Sequence, residues 1–185
     1  MNIAVYLGSL NGTDQKIQEN TAKLGHWIGK EKHTLVYGGG QSGLMGIVAD
    51  SCLAENGKVI GVIPHFLAGK EITHESLTEL HYVDTMAERK TMMIENADAF
   101  VSMPGGVGTL EEISEIMSKL RLNQTDAPCI FYNYNRFYDA MKDLLDTMLE
   151  YEFIDEVFMN KVSFCSTIEE VESILTKYCQ EKFHE

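Results

Sequence analysis

Two glycine-rich segments, each placed between a short apolar run and a helical pattern, constrain the fold of this chain most strongly. One lies at 38–43 (GGGQSG), after the apolar run 34–37, and the other lies at 104–109 (PGGVGT), after the run 98–103. A strand that turns through glycines into a helix is typical of sheets built from parallel strands. In such sheets, ligands bind outside the carboxyl ends of the strands, which is where both segments fall.

Short apolar runs alternate with longer helical patterns along the whole chain. The strands are predicted at 2–8, 34–37, 58–63, 79–83, 98–103, 129–132 and 162–165, and the helices at 14–31, 44–56, 85–97, 110–121, 136–150 and 167–181. We expect a single domain over residues 1–185. The expected fold is a Rossmann-like, doubly wound α/β fold, with a mostly parallel sheet flanked by helices on both faces.

Composition excludes several classes of function. The formal net charge of −13 argues against a nucleic-acid polymer as partner, because phosphate contacts need clustered Lys and Arg. No apolar run is long enough for a membrane span, and the first residues lack a signal-peptide pattern, so a cytoplasmic protein is expected. The four cysteines form no CxxC pair and no His lies near them at zinc spacing, which predicts reduced thiols and no metal site.

The first glycine segment has three interpretations. Its glycines permit a tight turn and close approach of a ligand, and the helix that follows offers N–H groups to an anion. The segment also fits the dinucleotide fingerprint GxGxxG, but the strand 59–63 ends in Pro64 and His65 without the expected acidic residue. NAD is therefore disfavoured. A turn that only packs helix on sheet remains the simplest alternative.

The second glycine segment repeats the arrangement of strand, turn and helix. Three glycines within four residues leave several backbone N–H groups able to converge on one anion, and the Thr109 hydroxyl adds a donor. Without a ligand, Thr109 and Glu112 would form a capping box, with Thr109 as the N-cap. Capping does not account for the three glycines, each of which costs backbone entropy.

The helix predicted between the two segments carries two cations on an otherwise apolar face. Helical spacing places six residues on that face: Met86, Arg89, Lys90, Met93, Ile94 and Ala97. Either the charged heads reach outward to water while their stems are buried, or the face borders a cleft and the cations meet an anionic ligand.

These motifs together resemble the LOG (LONELY GUY) family. The resemblance is carried by YGGGxxGLMG from Tyr37, by Glu88-Arg89-Lys90 and by PGGxGTxxE from Pro104, in this order and nearly gap-free from residue 3 to 155. The members of the family are cytokinin riboside 5′-monophosphate phosphoribohydrolases, often labelled lysine decarboxylases. The resemblance implies cleavage of the N-glycosidic bond of a nucleoside 5′-monophosphate, such as a cytokinin nucleotide or AMP, without a cofactor.

The resemblance also implies which residues act. Arg89 and Glu112 correspond to the catalytic pair of the family, and the protein is expected to be a homodimer with its site close to the subunit interface. The expected substrate-binding residues are Ser9, Gly39, Gly40, Gly43, Met86, Lys90, Gly105, Gly106, Gly108 and Thr109.

The chain departs from the family pattern after the helix that carries Glu112. KLRLN at 119–123 replaces the usual Trp-Ala-x-Leu-Gly, and Ala127 replaces a lysine. Two other functions stay open: a non-catalytic nucleotide-binding module and a decarboxylase that uses pyridoxal phosphate. The catalytic pair disfavours the first, and the lack of a recognisable lysine motif disfavours the second.

Overall fold

The computed structural model describes residues 1–68 and 73–183, and within these residues seven strands form one sheet. The strands are β1 (Asn2–Tyr6), β2 (Thr34–Tyr37), β3 (Lys58–Pro64), β4 (Glu79–Val83), β5 (Ala99–Ser102), β6 (Cys129–Tyr132) and β7 (Val162–Cys165). Their order across the sheet is β4-β3-β2-β1-β5-β6-β7, and each strand runs parallel to its neighbours.

Helices follow most of the strands. They are α1 (Gln15–Lys30), α2 (Gly43–Ala54), α3 (His65–Ala68), α4 (Met86–Glu95), α5 (Val107–Arg121), α6 (Asp139–Glu150), α7 (Glu156–Met159) and α8 (Ile168–Phe183), with a 3-10 turn at Tyr134–Arg136. No helix in the described part of the chain is both long and apolar enough to cross a membrane.

The alternation of side chains along β1 divides the core into two layers. Ile3 and Val5 are buried with α1, α2 and α8, whereas Ala4 and Tyr6 are buried with α4, α5 and α6 on the other face. Both faces of the sheet are therefore covered, as the Rossmann-like prediction requires.

The predicted elements agree closely with the structure. Every predicted strand is found within two residues of its expected ends, and the three short elements α3, α7 and the 3-10 turn were not predicted. The helix expected from 136 begins only at Asp139, because Asn135 and Arg136 adopt φ of 50° and 63°. The helix expected from 110 begins three residues earlier, at Val107.

The strand order reverses between β1 and β5. The connection after β1 leads to β2 on one side, and the chain later crosses to β5 on the other side. The loops that follow β1 and β5 meet at this point, where the Gly8 amide donates to the Pro104 carbonyl at 3.2 Å. A crevice at such a reversal is the usual ligand site of an open parallel sheet.

Candidate active site

Arg89 reaches the site from the first turns of α4. The Thr85 hydroxyl caps this helix by accepting from the Glu88 amide at 3.1 Å, and the Glu88 carboxylate accepts from the Asp84 amide at 2.9 Å. These two bonds satisfy N–H groups that would otherwise lack partners at the helix start. The start of α4 is thereby fixed, and with it the position of Arg89.

The guanidinium of Arg89 is buried, with only 8% of the residue exposed. Its Nε donates to the Val62 carbonyl at 3.1 Å and its Nη2 to the Gly38 carbonyl at 3.3 Å. Its Nη1 lies 3.5 Å from Oε1 of Glu112. The interpretation that the Arg89 head reaches outward to water is wrong, because backbone carbonyls and a carboxylate hold it inside the protein.

Glu112 meets Arg89 from the second turn of α5 and is also buried. Its carboxylate lies near the ring of Tyr6, at the end of β1. Burial raises the pKa of Tyr6 well above its ordinary value, and the charge of Glu112 raises it further. Tyr6 therefore keeps its phenolic proton at neutral pH beside the Arg89–Glu112 pair. No motif marked Tyr6, whose apolar neighbours make it look like any other core residue.

The alternative interpretation of Thr109 and Glu112 as a capping box is wrong. Gly106, not Thr109, is the N-cap of α5, and it has no side chain with which to accept an N–H. The paired glycines allow the helix to begin at Val107, so Thr109 lies inside the first turn and is buried. Glu112 then lies too far along the helix to cap it, and its carboxylate meets Arg89 instead.

The second glycine loop presents bare backbone at the surface. A Cβ on Gly105 would collide with the Thr109 side chain, so close packing inside the protein accounts for this glycine. A Cβ on Gly106 or Gly108 would meet no heavy atom within 4 Å. The first N–H groups of a helix have no partner within the helix, and the helix dipole adds partial positive charge there. This surface suits an anion that approaches the backbone closely.

The first glycine loop is buried at Gly38, Gly39 and Gly40, whereas Gln41 and Ser42 are exposed. Gly39 adopts φ +78° and Gly43 φ +64°, and a Cβ on Gly38 would collide with the Arg89 guanidinium. A Cβ on Gly43 would collide with the backbone of Ser9, so the structure brings these two predicted residues together. Gly39 and Gly40 lie inside the protein, with the Tyr37 hydroxyl donating to the Gly40 carbonyl at 3.1 Å.

Met86 and Lys90 lie on either side of Arg89 along α4. The thioether of Met86 lies 4.0 Å from Nη1 of Arg89, on the same side as Glu112. The ammonium of Lys90 lies 2.8 Å from Glu111 and 3.1 Å from Glu115, and its hydrogen bonds to these carboxylates raise its pKa. Lys90 therefore ties α4 to the outer side of α5.

A cavity of about 510 Å³ lies at the reversal of strand order. Ser9, Gly105 and Gly106 line it, together with apolar side chains: Leu10, Ile17, Leu44, Tyr134 and Phe137. Its volume lies within the range of small-molecule sites. Arg89 and Glu112 are not among the lining residues, whereas Gly105 and Gly106 of the second glycine loop are.

Comparison with known proteins identifies the family. A family model described as "Possible lysine decarboxylase" matches residues 45–175. A cytokinin riboside 5′-monophosphate phosphoribohydrolase from Rhodococcoides fascians is 37% identical over 169 residues, which cover 91% of this chain and 85% of that protein. This chain belongs to the LOG family.

Other comparisons agree with LOG membership. A probable cytokinin riboside 5′-monophosphate phosphoribohydrolase of Oryza sativa is 40% identical over 152 residues, or 82% of this chain and 67% of the relative. The solved Moco carrier protein of Chlamydomonas reinhardtii superposes with a TM-score of 0.74 over 97% of this chain and 98% of that protein. At 15% identity, this likeness concerns the fold alone.

The match to the LOG family model includes both residues of the buried pair and the second glycine loop. The glycines at 38–43 and Ser9 precede it.

Proposed function

We propose that this protein is a hydrolase that cleaves the N-glycosidic bond of a nucleoside 5′-monophosphate, either a cytokinin riboside 5′-monophosphate or AMP. The products are the free base and ribose 5-phosphate. The observation that carries the proposal is the exposed glycine backbone at the start of α5, one helical turn from the buried Arg89–Glu112 pair. The names of the two enzymes that resemble this chain support the same reaction.

The phosphate is proposed to rest on Gly105, Gly106, Gly108 and Thr109. The N–H groups at the start of α5 and the helix dipole favour a dianion at this place. The open space beside Gly106 and Gly108 allows the phosphate oxygens to approach the backbone. Binding of the phosphate then places the ribose within reach of the second turn of α5, which carries Glu112.

The chemistry breaks the bond from C1′ to the base nitrogen and forms a bond from C1′ to a water oxygen. Positive charge develops on the ribose as the base departs with the bonding electrons, and a proton from water completes the base. The Glu112 carboxylate stabilises this charge or orients the water. Arg89 holds Glu112 in place, and water is the only co-substrate needed.

The test uses a panel of nucleotides and nucleosides, with release of ribose 5-phosphate and of free base as the readouts. AMP should be cleaved on the order of 10²-fold faster than adenosine, because adenosine lacks the phosphate anchor. Equal rates on both would contradict the proposed phosphate site. Binding of AMP without cleavage would instead support the non-catalytic module.

The decarboxylase alternative is tested with the same preparation. We expect no visible absorbance from a pyridoxal phosphate Schiff base and no cadaverine from lysine. Cadaverine production would overturn the proposed hydrolase.

We also propose that the protein is a cytoplasmic homodimer. Val107 and Phe137 are 86% and 47% exposed beside the second glycine loop, and Leu110 is 41% exposed. Helical spacing places Leu110 on one apolar face with Ile113, Ile116, Met117 and Leu120, but these four pack in the core and Leu110 is exposed. An apolar surface next to the site suits a second copy of the chain. Light scattering of the purified protein at several concentrations measures the oligomeric state.

A further inference from the structure

A short segment after β3 lies across the first glycine loop. Thr73 pairs with Gly40 in an isolated antiparallel bridge, and the amide of His74 donates to the Gly39 carbonyl at 3.1 Å. Further along the segment, the Thr78 hydroxyl accepts from the Val59 amide of β3 at 3.0 Å. The segment is therefore attached both to the loop and to the strand next to it.

The side chain of His74 anchors this segment to α2. The residue is only 2% exposed, and its Nε2 lies 2.9 Å from Oδ1 of Asp50. Its Nδ1 accepts from the Ser76 amide at 3.2 Å. Because Nδ1 is the acceptor in the neutral ring, Nε2 carries the proton and donates to Asp50.

The anchored loop in turn holds Arg89. The Gly38 carbonyl accepts from Nη2 of Arg89, the Gly39 carbonyl from the His74 amide, and the Gly40 carbonyl from Tyr37. Three successive carbonyls are thus directed by three different partners. The Gly38 carbonyl, which accepts from Arg89, belongs to the peptide next to the one whose carbonyl accepts from His74, so a shift of His74 acts on the residue adjacent to Gly38.

We propose that His74, held by Asp50, is a positioning residue that fixes the Gly38–Gly40 turn and thereby the orientation of the Arg89 guanidinium. The inference rests on the proposed hydrolase function for its effect on rate. It predicts that the hydrogen bond between Asp50 and His74 affects the cleavage step. Nucleotide binding should be unchanged, because the proposed phosphate site is the second glycine loop, which this hydrogen bond does not involve.

The kinetic test removes the hydrogen bond between His74 and Asp50 by changing Asp50, its exposed partner. The Asp50 side chain is 66% exposed, so Asp50→Ala leaves the core intact. Asp50→Ala should lower kcat for AMP roughly tenfold with KM within about twofold, since small shifts of a catalytic group are costly. Asp50→Asn, which keeps an oxygen acceptor for Nε2, should restore most of kcat.

The chain offers a matched control. His26 of α1 and Glu55 at the end of α2 form another histidine–carboxylate contact, also at 2.9 Å, which does not involve the first glycine loop. Glu55→Ala should leave kcat and KM unchanged. A purely stabilising role for Asp50 would lower the melting temperature of Asp50→Ala without changing kcat at 25 °C, and would overturn the proposal.

A second readout does not depend on activity. The chain contains three arginines, so an ¹⁵N-arginine NMR spectrum has three Nε–H signals, and Arg89→Lys identifies one of them. The Arg89 signal should exchange slowly with solvent in the parent protein and markedly faster in Asp50→Ala, but not in Glu55→Ala. An unchanged Arg89 signal in Asp50→Ala would refute the positioning role. If the parent protein cleaves no nucleotide, the hydrolase proposal fails while this measurement still decides the role of His74.

Discussion

The two glycine loops look alike in sequence but differ in what their glycines contact. In the loop at 38–43, Gly38 lies against the Arg89 guanidinium and Gly43 against the backbone of Ser9. In the loop at 104–109, Gly106 and Gly108 have no heavy atom near the position of a Cβ. The first loop needs glycine because the protein fills the space around it, whereas these two glycines leave space that the protein does not fill.

The polar groups of the two loops differ in the same way. The carbonyls of Gly38, Gly39 and Gly40 are all bonded to other parts of the protein. The second loop instead directs the N–H groups of a helix start to the surface. We propose that the first loop supports the Arg89–Glu112 pair and that the second is the surface that binds ligand. Glycine content alone does not distinguish these roles.

The largest effect is expected for changes to the Arg89–Glu112 pair, in which Arg89 contacts the first loop and Glu112 lies in the helix that follows the second. Arg89→Ala and Glu112→Gln should each lower kcat on the order of 10²-fold or more, as for loss of a transition-state contact. Glu112→Gln is the cleaner variant, because it keeps the size of the side chain, whereas Arg89→Ala removes a buried cation from beside a carboxylate. The assay is steady-state cleavage of AMP, with circular dichroism to verify folding.

Arg121→Ala is the control for this prediction. It removes an arginine–carboxylate pair of similar length, 3.7 Å to Asp155, from the exposed end of the same helix. Near-normal rates of AMP cleavage in folded Arg89→Ala and Glu112→Gln would refute the catalytic assignment, whatever the rate of Arg121→Ala.

The second prediction tests the first loop. Gly38→Ala places a methyl group against the buried Arg89 guanidinium and should lower the free energy of unfolding by about 1–3 kcal/mol, as in other overpacked sites. Because Arg89 must move, kcat should fall as well. Urea denaturation and AMP cleavage measure the two effects. Unchanged stability would mean that this loop is looser than its contacts indicate.

The third prediction tests the second loop. Gly106→Ala adds a methyl group to open space at φ −96°, so the free energy of unfolding should change by less than about 0.5 kcal/mol. The methyl group would occupy the proposed phosphate position, so kcat/KM for AMP should fall by roughly tenfold, as for a lost hydrogen bond to a charged group. If Gly106→Ala instead lowered the free energy of unfolding and left kcat/KM normal, the second loop would have the supporting role that is assigned here to the first.

The smallest effect is expected for base selectivity. The family tryptophan is replaced near Lys119, so AMP and isopentenyl-AMP should be cleaved with similar kcat/KM, within the roughly 10–200-fold that one small apolar group confers. Lys119 lies about 15 Å along α5 from Thr109, and it provides no aromatic surface on which an apolar base substituent could pack. A preference above about 10³-fold for the prenylated substrate would show a dedicated pocket.

The cavity at the strand reversal supplies the matched variants for base selectivity. Phe137 lines this cavity and Lys119 does not. Phe137→Ala should therefore alter the ratio of kcat/KM between the two substrates, and Lys119→Ala should leave it unchanged. The opposite result would show that Lys119, and not Phe137, contributes to base selectivity.

Much of this molecule could be predicted from its sequence because the information is local. Alternating apolar runs place all the strands, and strand–glycine–helix order predicts the site at their carboxyl ends. The start of α5 was misplaced because capping rules favour Thr109, whereas the extended backbone of Gly106 is equally able to begin a helix. The Tyr6, His74 and Gly38 contacts join residues far apart in sequence, and no local pattern encodes them.

The reversal of strand order also determines when the site can exist. Arg89 precedes β5 and Glu112 follows it, while the carbonyl that orients Arg89 lies 51 residues earlier in the chain. Contacts so distant in sequence form after local structure, because closing a long loop costs entropy before the contact repays it. A partly synthesised chain that ends before α5 has the arginine but not its carboxylate. The Arg89–Glu112 pair can therefore form only after α5 has been synthesised and has packed beside α4.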